Sequence, residues 1–247
     1  MESIDLNCDL GETETNRDAE IMPFLSSCNI ACGGHAGNRT IMYTAVKTAL
    51  THRVKVGAHP SYPDRDNFGR KSLDLPRPTL LRHLQQQIQS LRELASACHT
   101  QLHHVKPHGA LYNDMAKDAD LARDVVLLIK EIDPALRVFG LAGSETETVC
   151  RADNIPFIAE GFADRRYVAP DRLQSRSEAG AVLTRPTDVL TQIDNFLTGK
   201  VTLADGTTAP LPVRTLCLHS DTDGAVALSR LIYRHLTEQN VRIAAPV

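Results

Sequence analysis

Short apolar runs that alternate with longer stretches of helical periodicity constrain the fold of this 247-residue chain more than any other feature. Seven such runs are bounded by turn residues, at 3–8, 28–33, 53–59, 102–106, 137–142, 155–160 and 214–219. Between most of them, apolar residues recur three and four positions apart, as on one face of a helix. Because strands that alternate with helices form parallel sheets, the sequence predicts an α/β fold.

Residue parity in the first run indicates how the sheet is arranged. One face of this run is apolar, whereas the other carries Asp5, Asn7 and Asp9. A strand of a parallel sheet is buried on both faces, so a polar face favours a barrel with a polar interior, although parity does not show which face points inward. We therefore predict a seven-stranded parallel β/α barrel, a distorted TIM-like barrel, with an open doubly wound sheet as the alternative. Residues 1–247 are expected to form one domain, because barrels of this length routinely do.

Capping residues predict where several helices begin and end. Asn38 is placed to cap the helix after the second run, and Ser144 with Glu147 forms a capping box. Thr187 is expected to open a helix that stops at Gly199.

Two segments interrupt the alternation of strands and helices. Residues 60–76 are rich in proline and charge, and loops of this length in compact domains are usually functional, which favours an active-site loop. Residues 200–213 place an Asp-Gly turn between β-prone residues, which predicts an exposed hairpin insertion.

The composition narrows the class of partner. The formal net charge is −3 and there is no run of lysines and arginines, which argues against nucleic acid or an anionic membrane. No apolar stretch approaches the length of a membrane span, and the first residues are acidic where a signal peptide would be basic. We expect a cytoplasmic protein that acts on a small molecule. The six cysteines include no CxxC pair and mostly lie in apolar runs, which favours buried free thiols over disulfides or structural zinc.

Four histidines share one local context, following an apolar run and preceding glycine, proline, alanine or serine: His35, His59, His108 and His219. In a parallel α/β fold, residues just beyond the carboxyl ends of the strands share one rim, so these side chains are expected to converge. For any one histidine, a structural role is the alternative.

Charged residues at the same strand ends complete the predicted site. Asp9 and Glu12 follow the first run, where they either act in catalysis or cap the next helix and bind Arg17. Lys106 either neutralises a developing oxyanion or forms a salt bridge to Asp9 or Glu160.

Arg165 follows the sixth run, where its guanidinium is suited to a carboxylate or phosphate ligand. Ordinary ion pairing with Asp164 and Asp171 is the alternative. No GxxxxGK[ST] or GxGxxG loop follows any strand, so nucleotide binding by those motifs is not predicted.

Seven segments together resemble the LamB/YcsF family over nearly the whole chain: DLNCDLGE (5–12), NIACGGHAG (29–37), VGAHPSYPDRDNFGR (56–70), HVKPHGALYN (104–113), GLAGSE (140–145), FADRRY (162–167) and CLHSD (217–221). The resemblance implies a barrel related to the glycoside hydrolase/deacetylase superfamily. It also implies a role in the ATP-dependent opening of 5-oxoproline to glutamate, with 5-oxoprolinase subunits B and C as partners. ATP, with a divalent metal such as Mg²⁺, would be handled by or with those partners.

The chain departs from the usual family pattern at three places. Gly34 stands where the family more often has phenylalanine, Asn38 and Arg39 replace Asp-Pro, and Ser220 replaces glycine. These changes concern loop shape and substrate preference, and the predicted chemical groups remain in place.

The resulting hypothesis assigns catalysis to Asp9, His59 and Lys106, with no metal ligand. The residues expected to bind substrate are Asn7, His35, His108, Glu160, Arg165, His219 and Asp221. Asp9 or His59 would direct water, while Lys106 and Arg165 hold developing negative charge. Two alternatives are a metal-dependent hydrolase of acetyl amides, with Asp9, His35 and His59 as ligands, and a non-catalytic substrate-binding subunit.

Overall fold

The computed structural model describes residues 2–13 and 16–247. This part of the chain contains twelve strands: β1 (Ser3–Leu10), β2 (Ser27–Ala31), β3 (Lys55–His59), β4 (His104–Val105), β5 (Arg137–Leu141), β6 (Phe157–Phe162), β7 (Tyr167–Ala169), β8 (Arg172–Leu173), β9 (Lys200–Thr202), β10 (Thr208–Pro210), β11 (Thr215–His219) and β12 (Arg242–Ile243). Its α-helices are α1 (Arg17–Ile21), α2 (Arg39–Thr51), α3 (Arg77–Ala97), α4 (Gly109–Met115), α5 (Ala119–Ile132), α6 (Glu145–Ala152), α7 (Pro186–Leu197) and α8 (Ala225–Glu238).

Seven parallel strands form a closed barrel. Their order is β11-β6-β5-β4-β3-β2-β1, and β1 pairs back with β11. In this closing pair, Leu6 lies beside Leu216 and Asp9 beside His219. β12 pairs with the first residues of β1. The pairing of β1 with β11 confirms the predicted seven-stranded barrel, and the open sheet is the wrong alternative.

The polar and apolar faces of β1 follow the parity seen in the sequence. Ile4 and Leu6 are buried in the hydrophobic core, while Asp5, Asn7 and Asp9 are also buried and bond to other polar side chains. The barrel therefore encloses polar groups and presents apolar residues to its helices. This arrangement provides a rigid frame for charged residues at the strand ends.

The predicted helix caps are present. The side chains of Asn38 and Ser144 each accept a hydrogen bond from the backbone N–H three residues later. The carboxylate of Glu147 accepts from the backbone of Gly143 instead of reaching back to Ser144. α7 begins at Pro186, one residue earlier than predicted, because proline is well suited to the first turn of a helix.

Residues 60–76 contain no helix or strand and lie against the carboxyl ends of the barrel strands. Arg65 donates to the carbonyls of Gly33 and Gly37 after β2. The carbonyl of Gly69 accepts from the backbone of Ala110 in α4. These bonds hold the loop in the position expected of an active-site loop.

The sequence did not predict three short elements: helix α4 after the fourth barrel strand, and strands β7 and β8 after the sixth. α4 has seven residues, which is too short to show a helical apolar period. β7 and β8 form a small hairpin, and Tyr167 within it bridges to Leu203 beside the second hairpin, β9 and β10. The Asp-Gly hairpin thus packs against its neighbour, and Val201 in it is buried.

The state of the cysteines agrees with the expectation of buried free thiols. All six cysteines carry free thiols, and five of them are buried. Among the described residues, no helix is both long enough and apolar enough to cross a bilayer.

Candidate active site

The lowest polar layer of the barrel is built around Asp5. Its carboxylate accepts hydrogen bonds from the hydroxyls of Ser26, Ser27 and Thr215 at 2.5–2.7 Å. Burial nevertheless raises the pKa of Asp5 to about 6. This layer supports the groups above it and does not reach the cavity described below.

The next layer consists of amides and one imidazole. Asn29 donates to both Asn7 and Asp9 at 2.8 Å, and His104 Nε2 donates to Asn29 Oδ1 at 2.7 Å. A Cβ on Gly57 would overlap His104 Nε2, so the glycine makes room for the ring. The layer fixes one oxygen of Asp9 and leaves the other directed toward His59.

Lys106 lies between two buried carboxylates. Its Nζ is 3.0 Å from Asp9 Oδ1 and 2.9 Å from Glu160 Oε1, and it donates to Cys217 Sγ at 3.0 Å. Both salt bridges considered from the sequence are therefore formed. Burial is the largest single effect and opposes the charge on Lys106, but Asp9, Cys217 and Glu160 together outweigh it and raise the pKa of the amine well above its ordinary value. For Asp9, burial is outweighed by the charges of His59 and Lys106, which hold the pKa of its carboxyl well below the usual range.

Glu160 and Asn7 stand behind this ion pair. Asn7 donates to Glu160 Oε1 at 3.0 Å, and Tyr112 donates to Glu160 Oε2 at 2.8 Å. Glu160 is completely buried. Its carboxylate therefore positions Lys106, and its predicted contact with substrate stays a prediction.

His59 and His108 face each other beside Asp9. His59 Nδ1 donates to the carbonyl of Lys106 at 2.7 Å, and His108 Nε2 donates to the carbonyl of Phe68 at 2.9 Å. The remaining nitrogens, His59 Nε2 and His108 Nδ1, are 2.9 Å apart. Asp9 Oδ2 is 3.5 Å from His59 Nε2.

Glu12 and His35 lie on the other side of this histidine pair. His35 Nε2 is 3.1 Å from Glu12 Oε1, and its ring stacks on that of His108 with centroids 3.6 Å apart. Burial and the negative charge of Asp9 raise the pKa of Glu12 well above its ordinary value. Burial together with the charge of His59 lowers the pKa of His35.

The alternative roles considered for Asp9 and Glu12, capping the next helix and binding Arg17, are not seen among the described residues. The N-cap of α1 is Asn16, with no side-chain capping bond, and Arg17 donates to the carbonyl of Ser220. Asp9 and Glu12 both turn toward the histidines.

His219 is oriented by a buried carboxylate. Its Nδ1 is 2.9 Å from Asp164 Oδ1, and Thr222 donates to Asp164 Oδ2 at 2.6 Å. Burial is the largest single effect and opposes the charge on Asp164, but the charge of His219 and the hydrogen bonds from His219 and Thr222 together outweigh it and lower the pKa of the carboxyl. Asp164 thus positions His219. The sequence analysis had instead considered an ion pair between Asp164 and Arg165, and the described salt bridge of Asp164 is with His219.

Arginines form the rim of the site. Asp221 forms salt bridges with Arg70 of the loop at 60–76 and with Arg176. These two salt bridges join two long loops across the mouth of the barrel. Arg165 donates to the carbonyl of Gln174 at 2.6 Å. Its Nε is buried without a hydrogen-bond partner among the described residues. Burial, reinforced by the charge of Arg176, lowers the pKa of Arg165 to about 10.

These groups surround one cavity of about 740 Å³, a size typical of small-molecule sites. Seven of the predicted residues line it: Asp9, His59, Lys106, His108, Arg165, His219 and Asp221. Asn7, His35 and Glu160 do not line it and lie behind the lining residues. Asp9, His59 and Lys106 therefore meet in one cavity, as the proposed chemistry requires.

Glu12 was considered from the sequence as part of the acidic group after the first run, but it was not among the residues assigned to catalysis or substrate binding. Four further residues of the site were not proposed as site residues: Arg70, Tyr112, Asp164 and Arg176. Tyr112 lies on α4, the short helix that was not predicted, and the two arginines lie in long loops. Their positions depend on contacts between segments distant in the chain.

The fold and the cavity define a class of protein. A closed parallel β/α barrel with histidines, carboxylates and a buried lysine at the carboxyl ends of its strands places the chain among the β/α-barrel proteins, whose enzymes carry their active sites at that end. A family model described as the LamB/YcsF family matches residues 4–247. The chain belongs to the LamB/YcsF family.

Individual relatives agree with this assignment. The chain is 38% identical to the A subunit of 5-oxoprolinase from Bacillus cereus (strain AH187), with all of both chains covered. It is 37% identical to the A subunit of 5-oxoprolinase from Haemophilus influenzae (strain PittEE), covering 99% of this chain and 100% of that one. The crystal structure of the lactam utilization protein from Thermus thermophilus superposes with a TM-score of 0.92 at 34% identity, covering 99% and 100% of the two chains.

Proposed function

We propose that this chain is the lactam-opening subunit of an ATP-dependent 5-oxoprolinase, which converts 5-oxo-L-proline to L-glutamate. The observation that carries the proposal is the meeting of Asp9, His59 and Lys106 in one cavity. Full-length similarity to proteins named as the A subunit of 5-oxoprolinase supports the substrate. The name also supports the presence of further subunits, which we propose are B and C.

The chemistry of a five-membered lactam explains why ATP is needed. Amide resonance makes the carbonyl a poor electrophile, and transfer of the γ-phosphoryl group of ATP to the carbonyl oxygen removes that resonance. Because this chain has neither a GxxxxGK[ST] nor a GxGxxG loop after a strand, we assign the phosphorylation, and the Mg²⁺ that accompanies ATP, to the partner subunits.

The barrel would then hydrolyse the activated lactam. Water adds to the activated carbon, and the ring C–N bond breaks as the nitrogen takes up a proton. A second water releases phosphate from the resulting acyl phosphate and leaves glutamate. Asp9 Oδ2 is placed to accept the proton of the attacking water, with His59 Nε2 beside it as the other candidate base.

Positive charge around the cavity fits an anionic substrate. The substrate carries a carboxylate and, once activated, a phosphoryl group. Arg165 has an unpartnered Nε among the described residues and faces the cavity, so it can bind either group. Lys106 also lines the cavity, and we keep for it the role of holding negative charge on the substrate, against the two carboxylates that offset its charge at rest.

The test is an assay of ATP-coupled glutamate release from 5-oxoproline. The chain should be inactive alone and active when combined with candidate subunits B and C. Asp9→Asn keeps the shape of the side chain but cannot accept a proton, and it should lower the rate by about 10²–10⁴-fold. Glu131→Gln, on an exposed part of α5, is the matched control and should retain the rate.

Two results would contradict the proposal. One is full turnover by the partner subunits without this chain. The other is a change in substrate affinity, with no change in rate, in both Asp9→Asn and His59→Gln, which would identify a non-catalytic binding subunit.

A further inference from the structure

The contact between His59 and His108 places two hydrogen-bond acceptors against each other. Each ring uses its other nitrogen to donate to a backbone carbonyl, His59 to Lys106 and His108 to Phe68. A neutral imidazole carries a single N–H, so when both rings are neutral His59 Nε2 and His108 Nδ1 both present lone pairs, at 2.9 Å. Lone pairs at this distance repel unless a proton or a metal cation lies between them.

Two further ligand atoms lie beside this pair. Glu12 Oε1 is 3.6 Å from His108 Nδ1 and 3.1 Å from His35 Nε2. All four ligand atoms fall within 4.8 Å of one another. Within the described residues, the ion-pair contacts of Glu12 are with histidines, so this buried carboxylate has no lysine or arginine at ion-pair distance there. His35 Nδ1 is also buried without a partner in that part of the chain.

We propose that Glu12, His35, His59 and His108 bind one divalent transition-metal ion, with Zn²⁺ the best match. Three imidazole nitrogens and one carboxylate oxygen are a donor set that zinc prefers. Metal-bound histidines usually donate their second N–H to a carbonyl or carboxylate, as His59 and His108 do.

The structure also shows what binding the ion requires. The rings of His35 and His108 are stacked and nearly parallel, so one ring must tilt before both nitrogens reach a common ion. The loop at 60–76 supplies the Phe68 carbonyl that orients His108, and a Cβ on Gly69 would lie 2.9 Å from His35 Cβ. The loop that covers the site therefore also positions two of its ligands.

The location of the cluster gives the ion a place in the site. Glu12, His59 and His108 line the cavity, so the ion would be accessible to a small ligand. Coordination would occupy the lone pair of His59 Nε2. Asp9 would then be the remaining candidate base among the two named above.

The test measures metal binding without turnover. The purified full-length chain is stripped with a chelator and titrated with Co²⁺ and, separately, with Zn²⁺. We expect one equivalent per chain, visible ligand-field absorption from bound Co²⁺, and a higher thermal midpoint with Zn²⁺. Glu12→Gln and His35→Asn should weaken binding by about 100-fold or more. His52→Asn, an exposed histidine outside the cluster, should bind like the unmodified chain.

Circular dichroism of each chelated variant separates loss of a ligand from loss of folding, and Glu12→Gln is the variant that changes shape least. Binding of less than about one-tenth of an equivalent by the folded, unmodified chain would overturn the proposal. Equal affinity of the folded Glu12→Gln variant would do the same. A glutamate-release assay that fails while metal still binds would count against the proposed function alone.

Discussion

At the scale of single residues, Asp5 links burial to the pH dependence of stability. Its folded pKa of about 6 lies above the ordinary value of 3.8, so folding favours the protonated form. Between these two pH values the native state binds more protons than the unfolded chain, and stability falls as the pH rises. The groups that face Asp5 are Ser26, Ser27 and Thr215, with the charge of Glu160 acting on it as well.

Asp5→Asn should therefore stabilise the protein above pH 6. The expected gain in the free energy of unfolding approaches about 3 kcal/mol at pH 8, is small at pH 4 and vanishes well below the ordinary pKa of 3.8, where the carboxyl is protonated in both states. Urea unfolding at pH 4, 6 and 8 measures this difference. A gain that is equal at all three values would show that the ionisation of Asp5 is not its cause.

Lys106 illustrates what happens when one partner of a buried ion pair is removed. Lys106→Met keeps most of the side-chain volume but leaves Asp9 and Glu160 without their shared cation. We expect the free energy of unfolding to fall by about 3–5 kcal/mol. Chemical denaturation at neutral pH is the measurement.

A double variant is the control for this prediction. Lys106→Met combined with Glu160→Gln removes one uncompensated charge and should recover part of the lost stability. If the two changes were simply additive, the ion pair between Lys106 and Glu160 would not be the cause.

At the scale of structural elements, loops determine how the strand ends become a site. The amide of Gln87 on α3 accepts from the backbone N–H of Ser61 and donates to its carbonyl, which ties the loop at 60–76 to a helix. A Cβ on Gly34 would overlap Gln87 Oε1. Position 34, where the family more often has phenylalanine, is therefore a glycine that leaves room for Gln87 of α3 to bond to the loop.

Gly34→Ala should displace the Gln87 amide and lower the free energy of unfolding by about 1–3 kcal/mol, because packing is disturbed and backbone groups of Ser61 lose their partners. A double-mutant cycle with Gln87→Ala measures the coupling. Gly34→Ala should lower the free energy of unfolding clearly less in the Gln87→Ala background than in the unmodified chain. Equal costs in the two backgrounds would contradict the steric explanation.

At the scale of the whole molecule, packing of the barrel and its surrounding helices buries most of the cysteines. The five buried thiols belong to Cys8, Cys28, Cys32, Cys150 and Cys217, while Cys98 is partly exposed. Native protein should react with DTNB at no more than one thiol, and unfolded protein at all six. A reductant should leave the thermal midpoint unchanged. Rapid reaction of several native thiols, or a midpoint lowered by reductant, would contradict this prediction.

Much of the barrel could be predicted because its signals are local. The parity of Asp5, Asn7 and Asp9 indicated a polar interior, and Asn38 and Ser144 marked helix starts. Elements of a few residues, such as α4 and the β7–β8 hairpin, have no periodicity long enough to detect.

Candidate residues were predicted better than their contacts. Asp9 and Lys106 were identified individually, although 97 positions separate them in the chain. That Asp164 orients His219, or that Glu12 lies against His35, depends on strand register and on loops that pack from opposite sides. No local pattern contains that information.

The amino-acid sequence by itself determined the alternation of strands and helices, the polar face of the first strand and the residue types at the strand ends, because propensity and periodicity act over a few neighbouring residues. Only the tertiary structure decided which of those side chains touch. Closure of β1 on β11 and the packing of the loops bring Glu12 to His35 and His108 to His59. The energy of such contacts depends on distances between remote segments, which only the folded chain fixes.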